Sequence, residues 1–217
     1  MSEEVLNLQD STKSTDNPYA VAGWLSITMA ILYPLGFFIG FLQNAAMGMR
    51  SPQMVMGPSD LIMTTFTIIG IYVLIRFRTF LNERYSYHGI NTLITFTIIW
   101  SVAIQIFSLV FRGLLTMGVL GIPNSKESAI SFVLSFGLFI AVSMISIGII
   151  DLNIAIRLLR SKEKLSNMLH IFAYITLIAG ICEISLFLVP ISLLLVPVTC
   201  VIIGIILIRD REPVEFV

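Results

Sequence analysis

Glu183 is the only carboxylate between Met168 and Ile208, in a stretch that is otherwise almost wholly apolar. An ionisable side chain inside hydrocarbon is costly, and it is a functional suspect by default. Counted from the start of its segment at Met168, Glu183 lies roughly 22 Å deep at 1.5 Å per helical residue. Gln105 reaches a comparable depth in an earlier apolar segment, which Arg112 closes. Asp60 opens the segment before that, and Gln43 and Asn44 close the first. These groups therefore belong to one end of a helical bundle. The expected arrangement has Glu183 facing Gln105 and paired with Arg112, with Asp60 nearby. Its chemistry would be binding of a proton or a polar solute from that end. The competing reading is structural, because interhelical hydrogen bonds also hold membrane bundles together.

Asp151 lies toward the other end, near the close of the fourth apolar segment. Arg157 is six residues away, too far for a pair on one helix face. Arg76 is the expected partner, in a surface ion pair that anchors the segment.

A second constellation lies in the loop NAAMGMRSPQMVMGPSD. Met47 and Met49 form one Met-x-Met, and Met54 and Met56 form another. Thioethers are soft donors that suit Cu(I). The loop resembles the methionine motifs of copper-handling membrane proteins, and the resemblance implies these four residues as metal ligands. It extends no further, since no MxxxM lies within a span and no His-Cys tail follows. The competing role is packing, in which flexible Met fills irregular gaps.

Nothing points to enzymatic chemistry. His88 and His170 lack a second His at helical spacing and a nearby Cys or carboxylate at metal-ligand spacing. Cys182 and Cys200 stand apart within apolar segments, where thiols are inert small hydrophobes. No GxSxG, HExxH, P-loop or dinucleotide fingerprint is present. No cofactor is expected.

The elements that must position these residues follow from the distribution of apolar side chains. Of 217 residues, 57% are hydrophobic and 12% are charged. A soluble domain carries about 25% charged residues, so lipid must be the main solvent here. The formal net charge is +0, which gives no field for nucleic acid. A span needs about 20 apolar residues to cross a core of about 30 Å. The expected helices run over about 22–42, 61–80, 90–111, 130–156, 168–188 and 191–208. They form one domain over 21–208, between a polar tail at 1–20 and a short tail at 209–217. The stretch from Met168 to Ile208 would be roughly 60 Å long as a single helix, so it must break. Pro190 and Pro197 are the candidate breakers. A turn at Val189-Pro190 yields six spans, with Pro197 kinking the last. The alternative is five spans and a re-entrant segment.

Charge favours six. Even-numbered topology places ten of the thirteen Lys and Arg residues on the side of the two tails, and three on the other. Basic loops face the cytoplasm. Both termini are therefore expected inside, in a plasma membrane of bacterial type. The basic loops around Arg76-Phe77-Arg78 and Arg157–Lys164 suit contact with anionic headgroups. They also share a layout, Ile-Arg followed by a basic loop and Asn-x-Leu-x-x-Phe (Asn91, Leu93, Phe96; Asn167, Leu169, Phe172), which general loop composition explains without duplication. The sequence thus implies an all-α, polytopic transmembrane bundle whose partners are the bilayer and, through helix contacts, other membrane proteins. Its role is either that of a non-enzymatic structural or accessory component, or that of a small transporter or ion-handling protein built on the Glu183–Gln105 region or the methionine loop.

Overall fold

A computed structural model describes residues 17–47, 57–117 and 126–209. Six helices account for nearly all of them: α1 Ala20–Met47, α2 Pro58–Tyr85, α3 Asn91–Thr116, α4 Lys126–Leu159, α5 Asn167–Ile184 and α6 Val189–Arg209. All six contain windows long and apolar enough to cross a membrane. The chain is an all-helical, six-span membrane protein.

The ends of the helices have local causes. Asp60 accepts from the Gly57 amide at 2.8 Å, and Pro58 stands in the first turn of α2, where its missing N–H is harmless. Tyr87 N–H reaches back to the Leu81 carbonyl at 3.1 Å around Ser86, which takes the left-handed conformation at φ 50°. Ser166 caps α5 by accepting from Leu169 N.

The break between α5 and α6 falls earlier than the prolines suggest. α5 stops at Ile184, and the turn is built on Ser185. The Ser185 hydroxyl donates to the Cys182 carbonyl at 3.2 Å and accepts from Leu188 N at 3.1 Å, while Leu186 adopts a left-handed φ of 54°. Pro190 sits in the first turn of α6, where it starts a helix instead of ending one. Pro197 lies inside α6 without interrupting it, as Pro34 does in α1.

Each helix packs against its neighbours in sequence, and α1 closes back onto α6, so the six form a ring. Two seams are very close. A Cβ placed on Gly148 of α4 would lie 2.8 Å from the Gly180 carbonyl of α5, and one placed on Gly180 would lie 2.8 Å from the Gly148 carbonyl. Gly23 of α1 and Gly204 of α6 repeat the arrangement, at 2.9 and 2.8 Å. Small residues that let backbones approach are the usual basis of helix association in lipid, where no hydrophobic force acts between helices. Beside the second seam the Ser26 hydroxyl donates to the Cys200 carbonyl at 2.7 Å.

The α2–α3 seam is looser. Polar rungs hold it: Arg78 to the Thr95 hydroxyl at 3.0 Å, Gln105 to Thr64 at 2.8 Å, and Arg112 to Asp60.

The core occupies one half of the ring. Phe77, Phe80, Leu81, Ile90, Ile94, Leu158, Leu169 and Leu207 are fully buried, and all stand near the end that carries Asn17 and Arg209. Phe77 and Phe172 meet across the ring at 5.3 Å. Tyr87 donates to the Arg157 carbonyl at 2.8 Å, and Arg157 donates to that of Gly89 at 2.7 Å, which locks the α2–α3 loop onto α4. In the opposite half, Phe38, Phe41, Leu61, Ile106, Val110 and Leu138 are exposed, as lipid-facing side chains are. That half is more open.

Candidate functional site

Two groups of polar residues lie within the spans, and they differ in how fully their hydrogen bonds are made.

The first lines a cleft between α1, α2 and α3 in the open half. It encloses about 480 Å³, and its polar lining is Gln43, Ser59, Asp60, Gln105, Ser108 and Arg112 above Phe37, Phe41 and Met63. Gly36 and Gly40 of α1 make room for it, facing Met63 and Ser59 of α2. Asp60 divides its two oxygens between the Gly57 amide and the Arg112 guanidinium. Gln105 donates to the Thr64 hydroxyl, which itself donates to the Asp60 carbonyl at 2.7 Å. The Thr67 hydroxyl, which donates to the Met63 carbonyl at 3.0 Å, lies 3.4 Å from the Gln105 oxygen. Ser59 donates to Gln43 Oε1 at 3.2 Å across the mouth. The result is a bonded network of one anion, one cation, two amides and several hydroxyls, open to the end of the bundle away from Asn17 and Arg209.

The second group lies across α4 and α5. Glu183 is 6% exposed and packs against Gly148, whose added Cβ would meet Glu183 Cβ at 3.0 Å. Its Oε2 has no hydrogen-bond partner among the described residues. Asp151 of α4 and Tyr33 of α1 are both within electrostatic reach of the Glu183 carboxyl, and Cys200 of α6 within reach of Tyr33. Thr176 of α5 and Ser143 of α4 are also buried, and both hydroxyls are unpartnered among the described residues.

The residues singled out from sequence therefore divide. Asp60, Gln105 and Arg112 come together. Glu183 does not join them, and the expected Glu183–Arg112 pair is replaced by Asp60–Arg112. The cause is ring order: α3, which carries Arg112, is flanked by α2 and α4, whereas α5 packs on α4 and α6. Asp151 also departs from expectation. Arg76 bonds to the Tyr72 hydroxyl at 3.3 Å and lies 5.4 Å over that ring, leaving Asp151 with Glu183. α4 continues to Leu159, so Asp151 is two turns inside the helix. It shares a face with the buried residues Ile154, Ala155 and Leu158. Sequence reasoning missed it because its depth was counted from a helix end placed too early.

Met49, Met54 and Met56 lie outside the described residues, as does the side chain of Met47. Among the described residues no three His, Cys, Asp or Glu side chains gather as metal ligands. His88 Nδ1 lies 3.3 Å from the Asn91 amide, and His170 Nδ1 lies 3.1 Å from the Ser166 carbonyl. Compared with known protein families, with curated proteins and with solved structures, the chain matches none.

Proposed function

We propose that this protein is a small membrane carrier that receives a zwitterionic solute of amino-acid size in the cleft between α1, α2 and α3. The observation that supports this most is the cleft itself, about 480 Å³ of space within the spans, lined by an acid, a base and two amides. Small-molecule sites take this form, concave and partly apolar with a few convergent polar groups, at about 300–1,000 Å³. The Asp60–Arg112 pair gives the ligand class. A zwitterion can insert its carboxylate against Arg112 and its ammonium against Asp60, exchanging one ion pair for two. Gln43 and Gln105 offer further donors and acceptors, and Phe37, Phe41 and Met63 suit an apolar side chain. Ten basic residues at the end of the tails orient that end to the cytoplasm, so the cleft opens outward.

A structural or accessory role is the second reading. It is favoured by the polar rungs of the α2–α3 seam, which hold two helices together with no ligand. Binding decides between the two readings. A panel of radiolabelled zwitterions would be tested against purified protein. Under the carrier reading one of them binds, and Asp60→Asn and Arg112→Gln each weaken it by about tenfold or more, about 1.4 kcal/mol. If nothing in the panel binds, while both variants lower the melting temperature, the polar residues are rungs and the accessory role stands.

A further inference from the structure

Glu183 and Asp151 sit either side of the α4–α5 crossing. Gly148 and Gly180 make that crossing, and each glycine is followed three residues later by a carboxylate. The helices are antiparallel, so the two carboxylates stand on opposite sides of the contact point along the bundle axis. Helical side chains lean toward their own N-terminus. Glu183 therefore leans back along α5 and Asp151 back along α4, which points each toward the other. Neither glycine has a side chain, so the two backbones touch there, with Ile184 and Leu152 beside the contact.

The seam is short of partners. Glu183 is 94% buried, by its 6% exposure, and its Oε2 is unbonded. Thr176 lies two turns before Glu183 on the same face and is 4% exposed, also with an unbonded hydroxyl. This is unusual for the chain: Thr28, Thr64, Thr79, Thr97 and Thr199 all donate to the carbonyl one turn back. The titratable groups within electrostatic reach of Glu183 are Asp151 from α4 and Tyr33 from α1, and Tyr33 is in turn within reach of Cys200 from α6. No Lys, Arg or His among the described residues reaches either carboxyl. Two carboxylates in hydrocarbon lose their hydration and repel each other, and a cation between them offsets both costs.

We infer that Glu183 and Asp151 form an exchangeable site for a monovalent cation, a proton or an alkali-metal ion, at the α4–α5 crossing, with Thr176 supplying a neutral oxygen. The site is separate from the solute cleft, which is lined by α1, α2 and α3 alone. It stands whether or not a solute binds there. It gives the molecule the means to couple or regulate through an ion.

The test is carbodiimide labelling of the full chain in detergent, mapped by peptide mass spectrometry. The reagent is apolar and modifies protonated carboxyls within membranes. Labelling at Glu183 or Asp151 that rises several-fold as the pH is lowered, with no response to sodium, identifies a proton site. Labelling that sodium chloride suppresses several-fold at fixed pH, where choline chloride does not, identifies an alkali-cation site. Either result supports the inference. Absence of labelling at both residues across the pH range, or labelling indifferent to both pH and sodium, overturns it. Since this readout uses unaltered protein, it survives if Glu183→Gln fails to fold. Asp151→Asn provides the second check. Under an alkali-cation site, sodium raises the melting temperature of the unaltered protein and leaves that of Asp151→Asn unchanged.

Discussion

At the scale of single residues, what separates the two polar groups is whether their bonds are made. Asp60, Arg112 and Gln105 are engaged with one another and with Thr64 and Thr67, so their removal disturbs both the cleft and the helix seam. Glu183 and Thr176 are buried with bonds unmade, which natural cores avoid at a cost of about 1–3 kcal/mol per group. Tyr19 shows the satisfied alternative at the water interface. It is nearly buried, its hydroxyl donates to Glu83, and its ring stands edge-on to Phe80 at 5.3 Å. Burial, and then the Glu83 carboxylate, push the Tyr19 phenol up to about 12. The folded state thus holds a proton that the unfolded chain releases near the ordinary value of 10. Stability from this group is present below that value and is lost as the pH rises toward about 12. The ultraviolet titration difference between the unaltered protein and Tyr19→Phe should be one tyrosinate that appears late, toward pH 12. A difference spectrum with an ordinary midpoint would contradict this assignment.

At the scale of elements, the close seams and the α5–α6 turn make definite predictions. A methyl on Gly180 meets backbone on both sides, the Gly148 carbonyl at 2.8 Å and Leu152 N at 3.0 Å. Neither atom can swing away, so α4 and α5 must separate. Gly180→Ala should therefore destabilise the bundle by about 1–3 kcal/mol, the usual range for overpacking, read as a lowered melting temperature. Gly137, which has nothing within 4 Å among the described residues, should tolerate the same change. Leu186 holds a left-handed backbone that costs a non-glycine residue about 1–2 kcal/mol, and it is 42% exposed. Leu186→Gly should therefore raise the melting temperature; a fall would show that its side chain packs more than its exposure suggests. This turn also marks where the sequence was legible and where it was not. Hydropathy and charge were enough for six spans, because length and polarity alone settle a crossing. The position of the last break was misread, because Pro190 looks like a terminator and is in fact a starter, while Ser185 carries no hydropathy signal. The partner of Glu183 was hidden for another reason. α5 is apolar on every side, so no stripe reveals which face turns toward α4.

At the scale of the whole molecule, burial is distributed unevenly along the bundle axis. The half with the basic loops is filled by Phe77, Phe80, Leu158, Leu169 and their neighbours; in the other half α1, α2 and α3 leave a cleft, while Cys182, Glu183 and Ser192 are buried on the side of α5 and α6. Under the proposed carrier function one end is closed and the other open, and this distribution matches the state open away from the basic loops. Cysteine accessibility reports it directly. Ser108, in the cleft lining, replaced by Cys should react with a water-soluble maleimide, whereas Ser26→Cys, at 1% exposure, should not. Equal reactivity at the two positions would mean that water reaches both halves alike.

The α1–α6 seam bears on how the protein is made. The Asn17 side chain donates to the carbonyls of Leu207 and Ile208, at 2.8 and 3.2 Å, and Gly23 lies on Gly204. During synthesis α1 leaves the ribosome well before α6 exists. Until then its glycine face has only lipid or a neighbour to rest on. α1 and α2 can pair as a hairpin early, since their contacts are local in sequence, but the ring cannot shut until translation has passed Arg209. A chain truncated within α6 would expose the unmatched face of α1 to quality-control proteases, whichever membrane receives it.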